Sequence, residues 1–370
     1  MVTEQQVREA LRGVNDPEIG KPIEDIGMLH QIEVDGGLVR VHVLLTIEGC
    51  PLRDRITQDV TAVVHPLDGV ERVEVTLTPM SAEQREALVG QLRSGRPAGQ
   101  AAGGSQISFS PQTSIVAVAS GKGGVGKSSV TVNLAAALAA DGASVGVLDA
   151  DVWGFSVPRM LGVSGKPVGF NDMILPLEAH GVKVISMGFF VPEETPVIWR
   201  GPMLHKAIEQ FLGDVYWGDL DFLLCDLPPG TGDVSISLAS FIPGAAMLVV
   251  TTPQEAARKV AERAGKMAER TNLRPIGVLE NMSWFACPHC GQKEMLFGSG
   301  GGDEAAITLS VPLVAQVPLV SAVREGSDQG VPIVVSDPTS PASVAFLQAA
   351  QAVRSATKSK VGKPLSLMTR

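Results

Sequence analysis

One nonapeptide narrows the possible folds more than any other part of the chain. GKGGVGKSS, Gly121 to Ser129, fits the spacing G-x-x-x-x-G-K-[ST], follows the short apolar run TSIVAVAS and opens a helical run, SSVTVNLAAALAADG, that ends at Gly142. A strand, a glycine-rich loop and a helix in that order make a phosphate cradle. Gly121, Gly123, Gly124, Val125 and Gly126 present backbone N–H groups to the phosphates, and the helix N-terminus adds the positive end of its dipole. Lys127 then reaches the β- and γ-phosphates of ATP, the Ser128 hydroxyl holds Mg2+, and Ser129 belongs to the same cradle. In this reading Lys127 serves phosphate charge and not the core. A glycine-rich turn capping a helix is the plainer alternative, and the strand and helix on either side count against it. A second lysine, Lys122, is by default a solvated surface charge.

The alternation continues down the chain. ASVGVLDAD, DFLLCDLPPG, AAMLVVTT and PIGVLENMS are short, nearly continuous apolar runs, with helical patterns such as QEAARKVAERAGKMAER between them. Strands of this kind alternating with helices predict an α/β fold with a mostly parallel sheet and helices on both faces. Ligands of such sheets bind at the carboxyl ends of the strands. Asp149 and Asp151 end one run and Asp226 ends another. Asp226 stands where a carboxylate would hold the hydration shell of Mg2+. A lone acid at a strand end is ordinarily solvated or capping, but three beside a phosphate cradle point to the site.

Upstream the texture changes. Residues 93–112, RSGRPAGQAAGGSQISFSPQ, lack apolar periodicity and predict a flexible linker. The linker separates a small α+β domain, residues 1–92, from the α/β domain, residues 113–370. In the small domain EQQVREALRGV repeats Val7, Leu11 and Val14 at helical spacing. The alternating runs HQIEVDGG, VRVHVLLTI and VERVEVTLTPM follow, with a helix through RDRITQDVTAVV between the second and third. An apolar share of 45% supports a core in each domain. A formal charge of −9 offers no general attraction to nucleic acid or to an anionic membrane. The N-terminus carries charges where a secretory leader needs an apolar core, and no apolar run is long enough to span a bilayer. The expectation is a cytoplasmic protein without a nucleic-acid or membrane partner.

In a reducing compartment the pair Cys287 and Cys290, in SWFACPHCGQ, reads as metal-binding or redox-active rather than as a disulfide. Two thiolates are half of what a structural zinc or a cubane iron-sulfur cluster requires. The other cysteines, Cys50 and Cys225, are distant in sequence, and Cys225 lies inside an apolar run as a small buried hydrophobe would. A symmetric dimer would supply the missing pair. A redox dithiol and a bridging zinc site are the alternatives, and His289 between the cysteines reads as exposed rather than as a ligand.

The loop KGGVGKS resembles the deviant Walker A motif of the nitrogenase-iron-protein, septum-site and partition ATPases. The resemblance implies that Lys122 crosses a homodimer interface to the partner's nucleotide. It also implies that Asp149 and Asp151 are switch I aspartates, one of them orienting the attacking water, that Asp226 is the Walker B aspartate, and that Gly230 senses the γ-phosphate. With LDADVWGFSVP, WRGPM, DLPPGTGDVSISLA, ENMSWFACPHCG and VPLVSAVREGSDQGVPIV in that order, residues 113–357 resemble the Mrp/ApbC-type iron-sulfur carrier ATPases. NDPEIGKPIEDIGML and TIEGCPLRDRITQDV resemble the small iron-sulfur-assembly domain fused in front of bacterial members. This second resemblance implies an ATPase whose Cys287 and Cys290 bind a bridging 4Fe-4S cluster, cluster donors and apo iron-sulfur proteins as partners, and Asn281 at the adenine edge. A strand-end turn is the duller account of Asn281. Cys50 matches a cysteine of the small domain, with a plain thiol as its alternative. Trp153 and Phe155 depart from the family's Tyr and Pro, which bears on the packing of switch I. The rival reading is a partition or positioning ATPase bound to DNA or membrane, against which the Cys pair and the short tail KSKVGKPLSLMTR stand.

Overall fold

The computed structural model describes residues 2–17, 19–46, 53–94, 107, 109–151, 154–170, 173–190, 201–230, 233–254, 257–287, 289–290 and 292–357. Two compact units make up the chain, Met1–Gly104 with Val168–Leu175, and Ser105–Pro167 with Pro176–Arg370.

The first unit holds α1 (Glu4–Leu11), β1 (Leu29–Asp35), β2 (Leu38–Leu45), α2 (Arg53–Val64), β3 (Arg72–Pro79) and α3 (Ala82–Ser94). Thr3 and Gln6 form a capping box at the start of α1, and Val7 and Leu11 are buried. The sheet order is β1-β2-β3, with β1 and β2 antiparallel and β2 and β3 parallel. The parallel pair is reached through α2, whose buried Ile56, Val60 and Val64 lie on one helical stripe. Helix α3 is an addition to the sequence reading, and its last residues overlap the expected linker.

The second unit begins with β4 (Ser114–Ala119), α4 (Lys127–Ala140), β5 (Val145–Asp149) and α5 (Val157–Met160). The hairpin β6 (Val168–Phe170) and β7 (Met173–Leu175), grouped with the first unit, comes next in the chain. It is followed by β8 (Leu177–Ala179), β9 (Val182–Ser186), α6 (Gly201–Gly213), β10 (Phe222–Asp226), α7 (Asp233–Phe241) and β11 (Ala246–Thr251). The rest is α8 (Ala257–Thr271), β12 (Arg274–Ala286), β13 (Lys293–Glu294), α9 (Gly301–Leu309), β14 (Leu313–Leu319), α10 (Ser321–Gln329), α11 (Ile333–Ser336) and α12 (Pro341–Thr357).

Among the described residues a nine-stranded sheet runs β13-β12-β11-β4-β10-β5-β9-β8, with β14 on β12. In it β8 and β13 are antiparallel to their neighbours; the other described pairings are parallel, as the apolar runs require. The crossover from β4 to β5 steps one way along the sheet, and the crossover from β10 to β11 steps back the other way. With right-handed connections α4 and α7 therefore lie on opposite faces. The core gathers around β4, β5, β10 and β11, with α4 and α12 packed over them.

The mostly parallel sheet and its two helical layers agree with the sequence reading. Its central strands, β4 and β10, end side by side, so the loop after β4 and Asp226 at the end of β10 meet at one edge. Among the described residues no helix is long and apolar enough to cross a membrane.

Candidate nucleotide site and cysteine hairpin

The loop from Ser120 to α4 takes its shape from two left-handed residues, Gly124 and Gly126, both at φ 79°. A side chain at position 126 is excluded twice over. The conformation disfavours L-residues, and a Cβ there would lie 2.3 Å from Nδ2 of Asn281. Gly126 caps α4 without any side-chain hydrogen bond, so the first-turn N–H groups of the helix keep their donor capacity for an anion. The Ser129 hydroxyl is buried without a protein partner. These features fit a polyphosphate.

The charges below the loop are buried and joined. Lys127 is 6% exposed and its Nζ lies 2.7 Å from Oδ1 of the fully buried Asp226. Asp226 also accepts from the hydroxyls of Ser128 at 2.5 Å and Thr131 at 2.7 Å. Lys127 thus does more than the sequence reading gave it, because it neutralises a carboxylate inside the core. Ser128 and Asp226 together form the oxygen pair suited to a hard divalent cation.

Asp149, level with Asp226 on the neighbouring strand, is fully buried as well. It accepts from Ser186 Oγ at 2.9 Å, from the Asp151 amide at 3.2 Å and from the Val157 amide at 3.4 Å. Burial, reinforced by the nearby Asp226 charge, pushes its carboxyl up to about 8. Asp151 is 9% exposed and accepts from the Gly154 amide at 3.2 Å. The two aspartates, interchangeable in the sequence, therefore differ: Asp149 is a buried anchor and Asp151 stands nearer the surface. Phe155 packs where Gly188 leaves room, since a Cβ on that glycine would come 2.4 Å from the ring. Trp153 lies outside the described residues. The Gly230 amide donates to the Ser120 carbonyl at 2.9 Å, which draws the loop after β10 to the end of β4. Lys122 is exposed, as is Gly123 beside it, whereas Gly121 is buried.

Strand β12 links the two halves. Its Asn281 donates from Nδ2 to the Val125 carbonyl at 2.9 Å, a contact with the loop itself that sequence spacing did not foresee. Met282 follows at φ 57°, a left-handed conformation costly for a side chain of this size and typical of functional segments. The strand then continues to Ala286, pairing Phe285 with Glu294 and Ala286 with Lys293 of β13. Cys287 and Cys290 stand at the tip of this hairpin, with Cys287 N donating to the Gln292 carbonyl at 2.9 Å.

The Cys287 thiol lies beside the backbone amides of His289 and Cys290 and the Cys290 side chain. These donors pull its thiol below the ordinary range. Both sulfurs are therefore close together, one half-buried and one exposed. His289 is exposed, as expected. Among the described residues no three His, Cys, Asp or Glu side chains converge on one point. Cys225 is buried in β10, where burial and the neighbouring Asp226 charge push its thiol up. Cys50 lies outside the described residues.

With this geometry in hand, the comparisons are specific. The family described as ParA, NUBPL iron-transfer P-loop NTPase, matches residues 112–354, and the iron-sulfur cluster assembly protein family matches residues 4–77. A Mycobacterium leprae protein named iron-sulfur cluster carrier protein is 48% identical, over 98% of this chain and 95% of its own. One of the same name from Synechocystis is 43% identical, over 95% and 97%. A nucleotide-binding protein of Archaeoglobus fulgidus, solved in complex with ADP, superposes with a TM-score of 0.53 at 38% identity, over 59% of this chain and 87% of that one. The septum site-determining protein MinD of Pyrococcus horikoshii, solved with Mg-ADP, shares the fold, with a TM-score of 0.50 at 24% identity over 67% and 100%. A phosphate-cradling loop, a buried lysine-aspartate pair and a cysteine hairpin on one sheet thus accompany a match over most of the length, and the chain belongs to the NUBPL-type iron-transfer P-loop NTPase family.

Proposed function

We propose that this protein is an ATP-hydrolysing carrier that binds a labile 4Fe-4S cluster between two copies of itself and delivers it to apo-proteins. The observation that carries the reading is the path of β12, which touches the phosphate loop through Asn281 and ends at Ala286, next to Cys287. The nucleotide loop and the cysteine pair are thereby tied to one strand, six residues apart at Asn281 and Cys287.

At the phosphate end, Lys127 and the amides of Gly121, Gly123, Gly124, Val125 and Gly126 bind the β- and γ-phosphates, and Ser129 serves the same cradle. Ser128 and Asp226 would hold Mg2+, which supplies positive charge against the phosphates when bound. Asp151, the less buried aspartate, orients the attacking water. Asp149 positions the switch I segment through the Asp151 and Val157 amides. Gly230 responds to the γ-phosphate from its tie to Ser120. The exposed Lys122 reaches the nucleotide of the second copy, and Asn281 holds the loop while facing the adenine.

At the other end, amide N–H groups aimed at Cys287 favour the thiolate, the form that binds metal. Two thiolates per chain become four across a two-fold axis. The small N-terminal domain, joined through the linker, takes part in cluster traffic from the donor, with Cys50 as its thiol. A reducing cytoplasm suits such a site.

A transfer assay under anaerobic conditions tests the whole reading. The reconstituted chain should activate an apo 4Fe-4S enzyme, Cys287→Ala should fail to, and Lys127→Ala should fail to hydrolyse ATP. A bridging zinc site is distinguished by metal and sulfide analysis of the same samples. Reconstituted protein that holds zinc alone, or that passes no cluster to the acceptor, contradicts the proposal.

A further inference from the structure

The hairpin that presents the cysteines also presents an apolar pair. Met295 is 53% exposed and Leu296 is 54% exposed, among the more open large hydrophobic side chains of the described residues. They follow β13 directly. The two residues of that strand pair with Phe285 and Ala286, the last two positions before Cys287. Of the two charged residues of β13, Lys293 lies over the Trp284 ring, with Nζ 4.0 Å from the centroid, and Glu294 stands exposed before Met295. An exposed apolar pair thus follows the strand that pairs with the residues before Cys287.

We propose that Met295 and Leu296 form a collar on which a second copy of this chain seats, sealing the shared cluster from water. This inference rests on the cluster-bridging reading above. The occupant follows from the incomplete ligand set, since two thiolates cannot hold a cubane and the second pair comes from a partner bearing the same hairpin. Near a two-fold axis each residue of that hairpin approaches its own counterpart. There Met295 and Leu296 would bury apolar surface against their counterparts, with the charges of Lys293 and Glu294 at the margin. Two side chains from each copy fall well short of the ~1,200 Å2 that a stable interface buries, so the collar does not hold the dimer by itself. Its work is local: a dry, apolar shell around metal-bound sulfur limits solvent access and slows loss of the metal.

The experiment uses the full chain, reconstituted with iron and sulfide, and follows three readouts: chain number per cluster by native mass, ATP hydrolysis, and the rate at which an iron chelator extracts the cluster. The Met295→Glu, Leu296→Glu variant should hydrolyse ATP at the parental rate and lose its cluster about tenfold faster or more. The conservative pair Met295→Leu, Leu296→Met should behave as the parent. Should the glutamates unfold the hairpin, Met295→Ser with Leu296→Ser carries the same expectation. Extraction at the parental rate from a folded charged variant overturns the collar and leaves the bridging cluster standing. Parental extraction with slowed delivery to an apo-acceptor also overturns it, because the patch would then face a recipient. A parental chain that holds no cluster between two copies fails the underlying reading, and the collar falls with it.

Discussion

Beneath the phosphate loop three charges are turned inward and tied to the same chain: Lys127 to Asp226, Asp226 to Ser128 and Thr131, and Asp149 to Ser186 and the amides of Asp151 and Val157, while Lys122 stays exposed. At the cysteine hairpin Cys287 is half-buried beside two amides and Cys290 is exposed. The first region is tied together within one chain; in the proposed reading the second supplies half of a ligand set. A buried, internally paired site can be preorganised for phosphate, and fixed charges and dipoles of this kind supply most of the rate enhancement in such chemistry. In that reading an outward half-site opens when copies separate, as a carrier that must release its cargo requires.

The most forceful way to break the comparison is to cross the two ends. Cys287→Ala or Cys290→Ala should abolish cluster binding while ATP hydrolysis persists, and Cys225→Ala should keep the cluster because that thiol is buried in β10. Lys127→Ala should lower hydrolysis by about a thousandfold. It should also cost about 3 kcal/mol of stability, since it leaves Asp226 buried without its cation. Denaturant titration beside an activity assay separates those two losses, and a Lys127→Ala chain as stable as the parent would show that the ion pair contributes nothing to folding.

A smaller effect sharpens the contrast in burial. The folded Asp149 holds its proton up to about pH 8, whereas an unfolded chain releases it near the ordinary 3.8. Between those values the folded state binds more protons, so the stability this group contributes is greatest below pH 4 and falls as pH rises toward 8, by up to about 6 kcal/mol. Asp149→Asn should flatten that decline. Urea midpoints across the range decide it, and a parallel decline in the variant would assign the effect to another group.

The smallest effect lies at the surface. With its thiol lowered by two amides, Cys287 should alkylate several-fold faster than Cys290 at neutral pH, and Cys225 should resist until the chain unfolds. Mass-mapped labelling of the folded protein reads this order directly, and equal rates for Cys287 and Cys290 would remove the asymmetry that the amides create.

How much of this could be read beforehand depended on sequence distance. The phosphate loop was legible because its strand, glycines and helix are contiguous. Asp149 and Asp151 could not be ranked, since their difference comes from Ser186 and Val157, which reach Asp149 from later elements. The Lys127–Asp226 pair likewise joins residues far apart in the chain. Helix α3 went unread because Gly90 and scattered charges blur its stripe, and the length of β12 was hidden because Phe285 finds its partners on β13 and β14. Asn281 was visible as a strand-end amide, but its hold on Val125 needed the fold.

The central claim is that the cysteine hairpin is half of a site shared between two copies. Native mass measurement of the anaerobically reconstituted chain, with iron and sulfide counted on the same sample, tests it most directly. The account predicts a two-chain species carrying one cluster of about four iron and four sulfide, absent from Cys287→Ala. A cluster of that size on a single chain, or a two-chain species bearing none, would contradict it.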